Sequence, residues 1–375
     1  MKRFENIELL HKMIEERWVN VQKHPSKDLY IFNYSKSAQY EKVWNEVTLQ
    51  CRGLILDKEW NIVARPFLKF FNYEELAPEV VAEREKMSFQ VWEKMDGSLG
   101  ISYAIDGKVQ IATRGSFASD QAVMANKILE KYPKIQEHYD EKFTFLFEII
   151  YPENRIVVDY GQEEALVLLA IVDNDTGQEI DIEEYARIME VRTPEKFDMP
   201  SIGELIALRA NGKVNFEGFI VKFNDGFRMK LKMEEYVRLH SIVTGINSRN
   251  IWEYLKNRMP MENLLNAVPD EFYLWVEDTV KKLKEERMKI LKTCEIDYQK
   301  ISSTMNRKEV AEIFLKCKYP HMLFTRYMYE NTVNYNAISQ LISDLLYRAK
   351  VWEASWDLCY PKIAEQPFAD SIKKK

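Results

Sequence analysis

The residues of this chain best able to do covalent chemistry lie in Glu93-Lys94-Met95-Asp96-Gly97-Ser98. Phe89-Gln-Val-Trp92 before this segment and the run from Leu99 after it have strand composition, so Lys94 closes one strand and a glycine turn follows. A lysine at a strand end is accessible and held in place, as a nucleophile must be. An unperturbed lysine, with a pKa of about 10.4, is neutral in only about one molecule in a few thousand at pH 7. Nucleophilic use therefore predicts other cations, or desolvation, around Lys94. Taken alone, Lys-x-Asp-Gly also fits a plain charged hairpin turn, so other residues have to carry the case.

Those other residues are basic and acidic groups set into strand-like runs. In Phe227-Arg-Met-Lys-Leu-Lys232 the period of two puts Arg228, Lys230 and Lys232 on one face, with Phe227, Met229 and Leu231 on the other. Three like charges on one strand face repel each other, and an anion such as a polyphosphate opposite them explains the pattern; a solvated basic face is the plainer alternative. Glu148 in Phe145-Leu-Phe-Glu-Ile-Ile150 and Glu217 in Phe216-Glu-Gly-Phe-Ile-Val221 are carboxylates among core-type residues, which is costly unless each is paired or faces a site. Magnesium suits such carboxylates; pairing with a lysine or arginine at the core edge is the competing reading.

The elements that must position these groups are β-rich up to Lys232. Leu54-Ile-Leu, Phe89-Gln-Val-Trp, Ile101-Ser-Tyr-Ala-Ile, Phe143-Thr-Phe-Leu-Phe, Val167-Leu-Leu-Ala-Ile-Val and Gly218-Phe-Ile-Val-Lys-Phe have the length and composition of strands. Asp106-Gly107 and Asp225-Gly226 predict hairpins, hence antiparallel pairing. Helical stretches such as Gln121–Lys131 lie between them. After about Arg238 the texture changes. Phe272, Val276, Val280, Leu283 and Ile290 recur at helical steps, Ala337–Arg348 is similar, and Pro260, Pro269 and Pro320 punctuate the segments. The fold class is α+β: an N-terminal domain over residues 1–244, built on antiparallel sheets with flanking helices, and an all-α C-terminal domain over 245–375.

Composition removes several classes. A formal charge of -6 gives no bulk attraction to nucleic acid, and residues 1–247 hold 32 Lys and Arg against 41 Asp and Glu, so any grip on a polyanion must come from local patches. Cys51, Cys294, Cys317 and Cys359 lie far apart with no zinc-type spacing, which points to a reducing compartment. Neither a signal-type apolar segment nor an 18-residue apolar run occurs, so secretion and membrane spanning are not expected. P-loop, Gly-x-Ser-x-Gly and His-Glu-x-x-His motifs are missing. The five scattered histidines read as structural or surface residues.

In their order along the chain, the Lys94-Met-Asp-Gly97 turn, the Glu148 strand, the Glu217-Gly218 strand and Lys230-Leu-Lys232 resemble the successive motifs of the covalent nucleotidyltransferase superfamily, which comprises DNA ligases, RNA ligases and mRNA-capping guanylyltransferases. Within it the chain is similar to the ATP-dependent RNA ligases of the T-even bacteriophage tRNA-repair type. That similarity rests on Ile31-Phe-Asn-Tyr34, Cys51-Arg-Gly53, Arg65-Pro-Phe-Leu-Lys-Phe-Phe-Asn72, Gly115-Ser116, Asn154-Arg-Ile-Val157 and Tyr236-Val-Arg-Leu-His240. It is dense from Ile31 to His240 and is one of length and texture beyond.

The resemblance implies an N-terminal adenylyltransferase domain in which Lys94 becomes lysyl-AMP. It implies Lys94, Asp96, Glu148, Glu217, Lys230 and Lys232 as catalytic residues. Tyr34, Arg52, Lys69, Glu93, Gly97 and Arg114 join Lys94, Glu148, Glu217, Lys230 and Lys232 in contacting the nucleotide. Glu148 and Glu217 would serve the metal, through water. Where the family has lysine before the Gly115-Ser116 pair this chain has Arg114, which keeps the charge but not the geometry. ATP and Mg2+, with Mn2+ as a substitute, are the implied cofactors. RNA with 5′-phosphate and 3′-hydroxyl ends, tRNA among the candidates, is the implied partner of a monomeric cytoplasmic protein (host cytoplasm if phage-encoded), with a role in RNA specificity for the helical domain. A DNA ligase or capping enzyme would continue into a barrel of short strands after Lys232, where this sequence turns helical. The non-enzymatic rival is an RNA-end-binding protein on the same fold.

Overall fold

The computed structural model describes residues 2–210, 215–268, 272–331, 337–362 and 364–367. The chain divides into two compact units, Met1–Val243 and Thr244–Lys375. Among the described residues no helix is long and apolar enough to cross a membrane.

Among the described residues, three sheets build the first unit. The first runs Val19–Lys23, Leu29–Tyr34, Arg52–Asp57, Ile62–Ala64, all antiparallel. The second has the order Glu179–Ile180, Ala165–Asp173, Phe143–Ile150, Ser98–Ile105, Lys108–Thr113. The third has the order Lys196–Phe197, Phe89–Lys94, Gly218–Phe223, Arg228–Lys232, Phe71–Asn72, with only the last pair parallel. All six expected strands are present. Asp106 and Gly107, both at positive φ, form the two-residue hairpin between Ile105 and Lys108, and Asp225-Gly226 lies in the loop before Arg228.

Alternation along the strands distributes the core. In Phe143–Ile150 the odd residues Phe145, Phe147 and Ile149 pack with Ala125, Ile128 and Ile135 from the helices Asp120–Leu129 and Pro133–His138. The even residue Leu146 packs instead with Ile31 and Ile55 of the first sheet. Glu148 shares the Leu146 face, so it points between the sheets rather than toward the helices. The far side of the first sheet closes on the N-terminal helix Ile7–Glu15 through Leu10, Met13, Phe32, Leu54 and Leu56.

Every regular element described in the second unit is helical: Ser248–Lys256, Met261–Ala267, Tyr273–Tyr298, Arg307–Leu315, Pro320–Glu330 and Ala337–Leu358. The apolar stripe in and just before Tyr273–Tyr298 is the buried one, with Phe272, Val276, Val280, Leu283 and Ile290 all inside. Pro260 precedes one helix and Pro320 opens another. Pro269 lies outside the described residues.

Candidate active site

Three neighbouring strands of the third sheet bring the chemistry together. Gly218 pairs with Lys94 on one side and with Lys232 on the other, so all three project from the same face, and the glycine leaves the space between the two lysines open. Gly218 sits at φ +150 where a Cβ would lie 2.1 Å from the Leu231 carbonyl oxygen, so no side chain fits there. Glu217, immediately before it and almost fully buried, turns its carboxylate onto both amines. Lys94 Nζ donates to Oε2 at 2.7 Å, and Lys232 Nζ lies 3.2 Å from Oε1. The Lys94 side chain is only 20% exposed and stands inside the site.

The turn after Lys94 is held by Asp96. Its Oδ2 accepts from the backbone N–H of Val157 (2.9 Å) and Val158 (2.8 Å), its Oδ1 from the Tyr236 hydroxyl (2.9 Å), and its own N–H donates to the Tyr160 oxygen (2.9 Å). Asp96, which the resemblance implies is catalytic, holds the turn in place through these bonds. Gly97 N–H donates to Glu148 Oε1 at 2.9 Å, and a Cβ on Gly97 would meet the Ile149 carbonyl at 2.6 Å and Glu148 Cγ at 3.0 Å. Gly97→Ala is therefore expected to push the turn off the Glu148 strand, lowering stability by about 1–3 kcal/mol. Thermal melting checks the stability. Covalent labelling by α-labelled ATP should fall with it, and a variant that melts and labels like the parent would show that the turn can move without consequence.

Glu148 is half-buried at the inner end of this group. Burial, opposed by Lys94 and reinforced by the Glu217 and Asp96 charges, raises its carboxyl to about 8.

A second cluster, all cationic, surrounds Tyr34. A register shift in which Phe32 pairs with Leu54 but Asn33 pairs with Arg52 marks a bulge at Gly53, which re-aims Arg52 at the end of its strand. Arg114 Nη1 donates to the Tyr34 oxygen at 3.3 Å. Lys69 is 4% exposed, its Nζ sits 5.0–5.7 Å from the rings of Phe71, Trp44 and Tyr34, and it has no hydrogen-bond partner among the described residues. Arg52 and Lys230 both lie over the Phe70 ring, at 5.1 and 5.4 Å. Burial pushes the Tyr34 phenol up, but the charges of Arg114, Lys69, Arg52 and Lys230 outweigh it and bring it down to about 8.

A tyrosine lowered from its ordinary value of about 10 binds fewer protons folded than unfolded between the two values. Its contribution to stability is complete above about pH 10 and is lost as the pH falls through about 8. A tyrosinate absorbance step near pH 8 is expected, absent in Tyr34→Phe, and a bound polyphosphate that occupies the same cations should move the step upward. A Tyr34 that titrates near 10 with or without nucleotide would mean that the four cations do not act on it together.

Lys94 is largely desolvated, and its nearest charged partner is the Glu217 carboxylate, which it shares with the Lys232 cation. Two expectations are corrected. Arg228 does not join Lys230 and Lys232 opposite one anion. Four residues of strand set it roughly 13 Å from Lys232, and there it pairs with Glu179, as Lys222 does at 2.8 Å. Glu93, implied as a nucleotide contact, alternates with Lys94, so its side chain leaves the opposite face of the sheet. Sequence reasoning gave no role to Trp44, which completes the aromatic wall round Lys69, and no signal marked it. Tyr160 also went unnoticed, while Tyr236 was visible only within a motif.

The open face between Lys94 and Lys232, the shared glutamate and the adjoining cluster of four cations define a nucleotidyltransferase-type ATP site. Residues 50–236 match the family model described as RNA ligase. The chain is 26% identical over 331 residues to an RNA ligase of Rhodothermus phage RM378, covering 69% of this chain and 73% of that protein. Over 246 residues it is 29% identical to a protein of Autographa californica nuclear polyhedrosis virus whose provisional name joins polynucleotide kinase to RNA ligase. That match covers 59% of this chain and 35% of the viral protein. Among solved structures, a Naegleria gruberi RNA ligase with AMP and Mn is similar at 20% identity and a TM-score of 0.38, over 46% of this chain and 57% of that one, too loosely to decide anything about the site. Residues 50–236 are of the RNA ligase family.

Proposed function

We propose that this chain is an ATP-dependent RNA ligase that carries AMP on Lys94 and joins RNA 5′-phosphate to 3′-hydroxyl ends. The observation that carries the reading is the Lys94–Glu217–Lys232 row, flanked by the cation cluster, inside the region matching the RNA ligase family. Lys94 Nζ moves off Glu217 and gives up a proton, for which Glu217 Oε2 is the acceptor within reach. Its lone pair then forms a bond to the α-phosphorus of ATP, and the bond from that phosphorus to the leaving pyrophosphate breaks. Arg52, Lys69, Arg114 and Lys230 hold the β- and γ-phosphates and stabilise the charge that develops on the departing pyrophosphate. AMP then passes to an RNA 5′-phosphate, and a 3′-hydroxyl displaces it.

The residues present suit magnesium. No three His, Cys, Asp or Glu converge as a metal cage among the described residues, so the protein offers the Glu148–Glu217 pair, and magnesium commonly completes its shell with water and phosphate. The raised Glu148 carboxyl marks a place where added positive charge is favourable. Glu148 and Glu217 would hold the ion, through water, and it would supply positive charge at the α-phosphate; manganese would serve in the same way.

The helical second unit, in place of a strand barrel, favours an RNA ligase over a DNA ligase or capping enzyme. We assign that unit to recognition of the RNA body, with tRNA as the first candidate. The deciding experiment incubates the protein with magnesium and α-labelled ATP, GTP or NAD, followed by a 5′-phosphorylated RNA oligomer. Label from ATP and circularised RNA are expected. Label from GTP alone would assign capping chemistry, and no label with any of the three would leave an RNA-end-binding protein.

A further inference from the structure

The first unit contains a cavity of about 370 Å³ lined by Asp96, Ile149–Tyr151, Asn154, Arg155 and the Val158–Glu163 loop. We propose that it binds the 3′-terminal nucleoside of the RNA strand that supplies the hydroxyl, through ribose and base; this rests on the RNA-ligase reading above.

Location is the first support. The lining loop is fastened to the reaction centre at two points. Val157 and Val158 donate to the Asp96 carboxylate, two residues after Lys94. The Asp159 backbone exchanges bonds of 2.6 and 2.9 Å with the Asn215 side chain, two residues before Glu217. The cavity therefore keeps a fixed relation to both the nucleophile and its glutamate. Size is the second. The volume is near the low end for small-molecule sites, enough for one nucleoside and too small for a stretch of strand.

Charge distinguishes the two RNA ends. Among the lining side chains Arg155 is the single cation, and it is turned onto Asp159 at 2.7 Å. Glu163 is paired with Arg192, and the Asp96 oxygens are occupied. A phosphate would meet carboxylates and no available cation, whereas ribose hydroxyls and base amino groups can use the lone pairs that Asp159 and Glu163 keep beyond their ion pairs. The Arg52, Lys69, Arg114 and Lys230 cluster has the opposite character. Tyr151 and Tyr160, both half-buried, are among the lining residues, and stacking of a base on an aromatic ring is tolerant of sequence. In the joining step the bound 3′-oxygen forms a bond to the donor 5′-phosphorus, the bond from that phosphorus to AMP breaks, and the hydroxyl proton leaves to solvent.

The test separates the three steps in the full chain, using Tyr151→Ala, which removes a stacking face, and Gln162→Trp, which blocks the cavity from an exposed rim position. Labelling by ATP and adenylation of a 3′-blocked donor RNA should stay within about twofold of the parent. The KM for acceptor RNA in joining to a pre-adenylated donor should rise about tenfold or more, so that RNA-adenylate accumulates. Joining at parental acceptor KM in Gln162→Trp overturns the proposal, as does an equal loss at all three steps in a variant that melts like the parent. Failure of the parent protein to take label from ATP would instead overturn the ligase reading.

Discussion

Lys94→Ala should take no label from α-labelled ATP under conditions where the parent protein is fully labelled. The expected effect is total, because the proposed phosphorus–nitrogen bond forms on Lys94. Lys232 is the nearest alternative, but its nitrogen is bound to Oε1 of Glu217 on the far side of Gly218 from Lys94. Lys94→Arg is the informative companion. It keeps a cation on Glu217, which preserves the ion pair and hence the fold, yet a guanidinium does not lose its proton at working pH and cannot attack. Both variants should still join a pre-adenylated donor RNA to an acceptor, since that step uses no bond to Lys94, with a loss no greater than about a hundredfold from missing positive charge. A labelled band in either variant would move the nucleophile elsewhere and undo the assignment of the site.

Lys69→Met should move stability and activity in opposite directions. Lys69 is a buried ammonium with three aromatic rings around it and no hydrogen-bond partner among the described residues. The rings recover about 0.5–2 kcal/mol, while a charged donor left without an acceptor costs about 1–3 kcal/mol or more. Methionine has nearly the same shape and makes favourable sulfur contacts to rings. We expect a gain of about 1 kcal/mol, seen as a rise of about 2–4 °C in Tm. The same change removes one of four cations from the polyphosphate, and the rate of ATP labelling should fall about a hundredfold or more. A lower Tm would show that the rings satisfy the ammonium fully, and undiminished labelling would take Lys69 out of the phosphate site.

These two lysines mark the range of what could be read in advance. Lys94 was legible because its signal is local: a strand, an acidic residue and a glycine within four positions, where the glycine is required by the closeness of the Ile149 carbonyl. Lys69 was identified only through a motif match, since nothing in Leu68-Lys-Phe70 says that the side chain will be enclosed. The six expected strands, both Asp-Gly turns and the change to helices after about Arg238 were visible in short-range periodicity. Asp96 was visible as a residue but its surroundings were not, because the donors that occupy it come from residues 157, 158 and 236, far along the chain.

By itself the sequence determined which side chains share a strand face, where strands end and which backbone turns are glycine-dependent, because these follow from alternation and φ preference over a few residues. Tertiary structure alone decided who meets whom across strands. It put Glu217 on Lys94 over a separation of 123 residues, gave Arg228 to Glu179 instead of to an anion shared with Lys230 and Lys232, and gathered four cations on Tyr34. The physical reason is that charge acts through space and along no particular register, so the partner of an ionised side chain is fixed only when the sheets have been laid side by side.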